Sequence, residues 1–440
     1  MADILLIYPC PGEIKHWRFG FSLKLLYLSA ILKQAGHRVI DYLDYSIEKY
    51  DPEKFHTLAA GAEVLIIEFD AFPLKRTINI EHGETLVKLT REKFPCKKII
   101  VFGYDFALFP RSLENADFTL TGEPEKNILP VVDIVLCKKR CSGTFEPQVL
   151  ENLDELPFPD RDLLTPFAET GGSIISEPHL PRSTLIETSR GCLGRCRFCQ
   201  RRGWSRGFRA HSVDYVAREF AAIAGKNYRN IWISDDNFTY DLKRAKAILK
   251  VLDEKKLTRR KKIALSSWAN IDEEFLELAR SAGVSIISFG VESADEDILK
   301  FYEKHIDLKK LRDLIRKADR IGLYTVGNFI FGAPMESEAT IEKTFAYIRE
   351  TPFDQLNLKI LDYMAGSELY NSLPPHLSEN SRHVFACREN GLNRFPLRYL
   401  GEKLAHFRRE FALSRQERLK AKIGSFGPPY FVRGASGYFD

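Results

Sequence analysis

The chain has 440 residues, 44% of them hydrophobic, and a formal net charge of +5. That length exceeds the size at which single cores usually divide, so two or three domains are expected. The modest charge selects neither a nucleic-acid binder nor an acidic partner, and no apolar run approaches the roughly 18 residues of a membrane-spanning helix. The eight cysteines show no regular framework of pairs, and no signal peptide precedes the strand-like start, so a cytoplasmic, reducing setting is the natural expectation.

In chain order, residues 4–8 form a short apolar strand ending in the turn Pro9-Cys10-Pro11-Gly12, and an amphipathic helix over 21–35 follows, stopped by Gly36. Further strands fit 38–42, 64–67, 99–102 and 118–120. Runs buried on both faces and separated by helices predict an α/β, doubly wound (Rossmann-like) parallel-sheet domain over 1–138, with ligands at the strand C-terminal ends. Residues 139–181 read as a linker, extended where prolines punctuate 156–162.

From 182 to 364 the pattern repeats strand then helix, with strands at 184–188, 230–234, 263–268, 284–289, 325–331 and 355–361 and helices such as 213–224 and 338–350. Six parallel units predict a partial (β/α)6 TIM-type barrel with its chemistry at the strand C-terminal ends. Residues 365–440 lose the rhythm and read as a small, mainly helical region. In it a basic helix over 402–422 offers Leu404, Phe407, Phe411 and Leu413 to cover the barrel, and an aromatic, glycine-rich tail spans 426–432. Basic residues interleaved with aromatics can bind RNA, but amphipathic helices commonly look alike, so nucleic acid is not the expected partner. Cys387 reads as a buried structural thiol rather than an extra ligand or radical quencher.

The loop after the first barrel strand carries Cys192, Cys196 and Cys199 in eight residues. Three thiolates can hold three irons of a cubane iron–sulfur cluster, leaving the fourth iron open to chelate a small molecule. Zinc prefers four ligands, and the C-terminal flank offers only His211. Cysteines acting as small hydrophobes rarely gather among glycines and arginines.

Cys-x3-Cys-x-Phe-Cys resembles the signature of the radical S-adenosylmethionine (SAM) superfamily. The resemblance implies a 4Fe-4S cluster whose open iron chelates the amino and carboxylate groups of SAM. It further implies one-electron cleavage to methionine and a 5'-deoxyadenosyl radical, which abstracts hydrogen from an unactivated carbon. It also implies roles at the strand ends. Asp235, Asp236 and Asn237 would meet the methionyl amino group, Ser267 the ribose, Glu292 and Ser293 would anchor the ligand from beneath, and Ile330 and Gly332 would seat the adenine. Of the seven arginines between 190 and 209, which include Arg195, Arg197, Arg201, Arg202 and Arg206, most are expected to be solvated. Arg209 is singled out because the family often keeps a basic residue there.

A doubly wound domain ahead of such a barrel is similar to the cobalamin-binding domain of cobalamin-dependent radical SAM enzymes, as are the segments 116–125 and 156–162. Where that family usually carries paired glycines and a histidine, this chain has Phe102-Gly103-Tyr104-Asp105, and it has no Asp-x-His-x-x-Gly motif. Gly103 and Tyr104 are the corrin contacts this implies. Three functions follow: methylation of an unactivated carbon in a small biosynthetic intermediate; a non-methylating radical cyclisation, epimerisation, rearrangement or heteroatom exchange; or an iron–sulfur electron-transfer or binding module. The first two imply a small-molecule substrate and a flavodoxin- or ferredoxin-type electron donor.

Overall fold

The computed structural model describes residues 1–9, 21–45, 47–69, 78–137, 143–145, 148–165, 182–201, 207–379 and 381–415. The chain divides into two compact units, Met1–Arg182 and Ser183–Asp440. The turn residues Cys10, Pro11 and Gly12, the arginines Arg202 and Arg206, and the tail 426–432 lie outside the described residues.

In the first unit six strands form one sheet: β1 (Asp3–Tyr8), β2 (Arg38–Asp44), β3 (Val64–Glu68), β4 (Lys98–Gly103), β5 (Phe118–Thr121) and β6 (Gly143–Phe145), in the order β2-β1-β3-β4-β5-β6. Every neighbouring pair is parallel. All five residues of β3 are buried, as expected for a strand covered on both faces. The order reverses between β1 and β3, which makes their C-terminal ends the topological switch point of the sheet. Ser22 caps the helix Leu23–Gln34 by accepting from the Leu25 amide at 3.1 Å, so the helix starts two residues later than hydrophobicity alone placed it. The strand Gly143–Phe145 falls in the span read as linker. The rest of that span, as far as it is described, folds back on the first unit. Leu150, Leu153 and Leu156 pack with Tyr27, and Asp160 accepts from Ser29 and Lys33, both at 2.6 Å.

The second unit is built on β7 (Ser183–Ile186), then a two-stranded antiparallel pair β8 (Ser189–Arg190) and β9 (Arg209–Ala210), and then β10 (Asn230–Ile233), β11 (Lys262–Ser267), β12 (Val284–Glu292), β13 (Tyr324–Phe331) and β14 (Gln355–Ile360). The main sheet runs β14-β13-β12-β11-β10-β7, parallel throughout. The helices Val213–Ala224, Leu242–Glu254, Glu273–Ser281, Leu308–Arg320 and Glu338–Glu350 share one core with it, and every strand adds its neighbour in chain order, the open (β/α) arrangement predicted. Alternation along the strands decides the two faces. Phe329 and Phe331 enter the core under the helices, whereas Asn328 and Ile330, on the other face, are only half-buried.

Beyond the barrel the chain is less purely helical than its composition suggested, because β15 (Asp362–Met364) and β16 (His383–Phe385) form an antiparallel pair. The last helix is Leu397–Ser414, and Leu400, Leu404, Phe407 and Phe411 join the barrel core, Phe407 stacking on Phe345 at 3.7 Å. Leu413, predicted to share that face, is 73% exposed: it lies two residues after Phe411, about 200° around the helix.

Candidate radical SAM site

The cysteine loop leaves β7 at its C-terminal end and is pinned there by two groups. Asp235, at the end of β10, is 5% exposed and accepts from the Thr188 amide (2.6 Å), the Thr188 hydroxyl (2.5 Å) and the Ser189 hydroxyl (2.6 Å). Burial raises its pKa while those donors and Arg244 pull it back. Arg244 donates to the carbonyls of Thr188 and His211, both at 2.7 Å, tying the two ends of the loop together. Asp235, predicted to meet SAM, therefore has its oxygens engaged by the loop it positions.

Within the loop, the Gly194 amide donates to Cys192 Sγ at 3.3 Å and the Cys199 amide to the Cys196 carbonyl at 3.1 Å. Burial raises all three thiol pKa values, that of Cys196 to about 12, while Lys304 and Arg201 act in the opposite direction. Such thiols stay protonated until a metal displaces the proton. Among the described residues no three His, Cys, Asp or Glu side chains gather around one point as the ligands of a single ion do. The thiolates of an iron–sulfur cube bind separate irons. The Gly194 donor to sulfur and the two neighbouring cations fit a group whose charge is negative.

Around the loop, Asp236 pairs with Arg201 beside Cys192 and Cys199. Asn237 is 1% exposed; its Oδ1 accepts from Thr239 and from the Trp268 amide, while its Nδ2 is a buried donor without an acceptor among the described residues. That donor at a strand end suits a ligand acceptor such as the SAM carboxylate. Ser267 is engaged with Thr239 (2.8 Å) and the Trp268 carbonyl (2.7 Å), and Ser293 with the Asp295 amide (3.1 Å). Glu292 accepts from Lys304 at 2.8 Å, both side chains being under 10% exposed. Ile330 is half-buried on the open face of β13; Gly332, at φ +102°, donates its amide to Glu336 at 3.0 Å. Arg209 is buried on β9, beside Arg190 on β8.

The arginines are less solvated than expected. Arg190 and Arg209 are buried, Arg190 pairs with Glu187 (2.7 Å), and Arg197 pairs with Glu368 (2.6 Å); only Arg195 of those described is exposed. Cys387 is buried, as predicted. Sequence reasoning missed Arg244, Trp268 and Lys304, whose partners are distant in the chain.

In the first unit, Gly103 has φ +152°, and a Cβ there would fall on the backbone carbonyl of Phe69. The absence of a Cβ at this glycine permits the close approach of Phe69. The Tyr104 ring carries the Lys24 ammonium 3.9 Å from its centroid. The segments 10–20 and 70–77, which follow β1 and β3 in the sequence, lie outside the described residues.

A three-cysteine loop on the first strand of a six-stranded parallel half-barrel defines an iron–sulfur enzyme of the radical type. Residues 186–348, all within the second unit, match the model of the Radical SAM superfamily. An uncharacterized methyltransferase of Pyrococcus horikoshii is 25% identical over 397 residues, 84% of this chain and 82% of that protein. The radical SAM methyltransferase TsrM of Kitasatospora setae, solved with cobalamin and a [4Fe-4S] cluster, has a similar fold, with TM-score 0.68 at 16% identity over 84% of this chain and 77% of that one. So does the cobalamin-dependent radical enzyme OxsB, solved with aqua-cobalamin and SAM, with TM-score 0.67 at 16% identity over 89% of this chain and 65% of its own. No helix among the described residues is long and apolar enough to cross a membrane.

Proposed function

We propose that this chain is a cobalamin-dependent radical SAM methyltransferase that modifies an unactivated carbon of a small molecule in the cytoplasm. One electron would come from a flavodoxin- or ferredoxin-type donor. The observation that carries the reading is the cysteine loop at the C-terminal end of β7, in a chain whose preceding unit is a separate all-parallel domain. When bound, the cluster supplies an electron for carbon–sulfur cleavage in SAM, and cobalamin supplies a transferable methyl group.

The chain's own residues hold the reacting groups. Cys192, Cys196 and Cys199 would ligate three irons, Asp235 and Arg244 hold their loop, and Asn237 and Ile330 face the SAM site. Asp236, Ser267, Glu292, Ser293 and Gly332 form its wall, several of them through neighbours rather than by direct contact. A corrin would lie at the C-terminal ends of β1 and β3, with Gly103 and Tyr104 at the end of the neighbouring β4, and no step is assigned to it.

A second reading, radical chemistry without methyl transfer, is favoured by the engagement of Gly103 with Phe69. Anaerobic reconstitution with iron, sulfide and hydroxocobalamin, followed by mass analysis of SAM-derived products, separates the two. Methylation yields S-adenosylhomocysteine and 5'-deoxyadenosine, the second reading only 5'-deoxyadenosine. A chain that forms neither defeats both.

A further inference from the structure

The segment 301–304 runs along the cysteine loop. The Arg197 amide donates to the Tyr302 carbonyl at 3.2 Å, the Arg197 guanidinium lies 4.7 Å over the Phe301 ring, and Phe198 meets Tyr302 edge-on at 5.2 Å. Two residues on, the side chain of Lys304 is 4% exposed. Its ammonium donates to Glu292 at 2.8 Å and stands 5.1 Å over the Trp268 ring, the ring that also covers Gly194 between Cys192 and Cys196.

The backbone is distorted to seat this pair. Glu292 has φ +70°, a conformation non-glycine residues rarely adopt, and the β12–β13 register shifts between Gly290 and Glu292. Gly290 leaves the space: a Cβ there would stand 2.6 Å from Glu292 Oε1 and 2.8 Å from Lys304 Nζ. Well-packed apolar residues of similar volume often match or exceed a buried ion pair in stability. Strain retained beside a reaction centre is therefore evidence for a role beyond stability.

We propose that Lys304 is the cation that sets the reduction potential of the iron–sulfur cluster, and that Glu292 positions it and moderates its charge. This rests on the radical SAM reading of the loop. Reduction adds one negative charge to a buried group, which a fixed ammonium stabilises and a carboxylate opposes. Burial works against the Lys304 ammonium, and the Glu292 carboxylate 2.8 Å away is the main influence holding the proton on it. The ammonium, not the carboxylate, stands over the indole that covers the cysteine loop, so the pair turns its positive end toward the cluster.

The test is an EPR-monitored potentiometric titration of the anaerobically reconstituted full chain without SAM, on wild type, Lys304→Met, Glu292→Gln and the double variant. From least to most negative, the expected midpoints run Glu292→Gln, wild type, double variant, Lys304→Met. At the wild-type midpoint the reduced-to-oxidised ratio of Lys304→Met falls about tenfold, equivalent to about 59 mV for one electron. The double variant leaves no buried charge unpaired and serves if Lys304→Met does not fold. Coincident midpoints at normal iron and sulfide content would overturn the proposal. So would a Lys304→Met effect confined to SAM affinity, because Lys304 would then be a SAM ligand. A wild-type chain that assembles no cluster defeats the radical SAM reading as well.

Discussion

The indole of Trp268 lies across Gly194, so that a Cβ on this glycine would stand 2.5 Å from Cη2 of the ring. One bare backbone position lets a residue after β11 close over a loop after β7. Gly194→Ala must move the indole or the loop, at a cost of about 1–3 kcal/mol. After identical reconstitution, its iron content per chain is expected to fall below wild type while its far-ultraviolet circular dichroism is unchanged.

Arg244 holds the carbonyls of Thr188 and His211. Arg244→Met keeps most of the aliphatic stem and deletes every guanidinium hydrogen bond to these two residues, at an expected loss of about 2–3 kcal/mol, as for hydrogen bonds to a charged group. Urea unfolding should show the lower midpoint, and iron analysis a lower cluster yield.

Gly103 abuts the Phe69 carbonyl, while the Phe69 ring fits beneath Gly83, where a Cβ would stand 2.6 Å from Cζ. Gly103→Ala is expected to destabilise the first unit by about 3 kcal/mol, the upper end of overpacking costs. An early urea transition without added cobalamin would show that the glycine serves the fold.

The last helix separates two leucine-rich readings of its covering face. Phe407→Ala empties a stacked core position and should cost about 3–5 kcal/mol. Leu413→Ser, on the exposed side, should change unfolding free energy by less than about 0.5 kcal/mol.

Burial raises the pKa of Glu336, although the Thr340 hydroxyl and the Gly332 amide partly offset this. Below the ordinary carboxylate range both folded and unfolded chains carry the proton. As the pH rises toward the raised folded value, the unfolded chain releases its proton first, so stability falls across that window and is level above it. Glu336→Gln removes this decline. Its unfolding free energy should be flatter than wild type on the acidic side of neutrality.

Much of the fold was legible because its signals are local. Apolar runs such as 64–67 and 99–102, with helical stretches between them, describe a buried parallel sheet wherever they occur. Leu413 was misplaced because hydrophobicity alone does not say which side of a helix faces the core. The strand Gly143–Phe145 was missed because three residues carry no period. At the site, cysteine spacing was legible for the same local reason, while the loop donors that meet Asp235 were not, because a strand end does not reveal which donors its carboxylate meets.

The order of domains, the three-cysteine loop and the alternation that buries one face of each barrel strand were determined by the amino-acid sequence alone, since spacing along a chain sets side-chain direction on strands and helices. Only the tertiary structure decided that Arg244 closes the loop, that Phe69 occupies the space beside Gly103, and that Lys304 and Trp268 border the cysteines. Those contacts join positions separated by 33 residues or more, and they arise from how the elements pack, which no local pattern encodes.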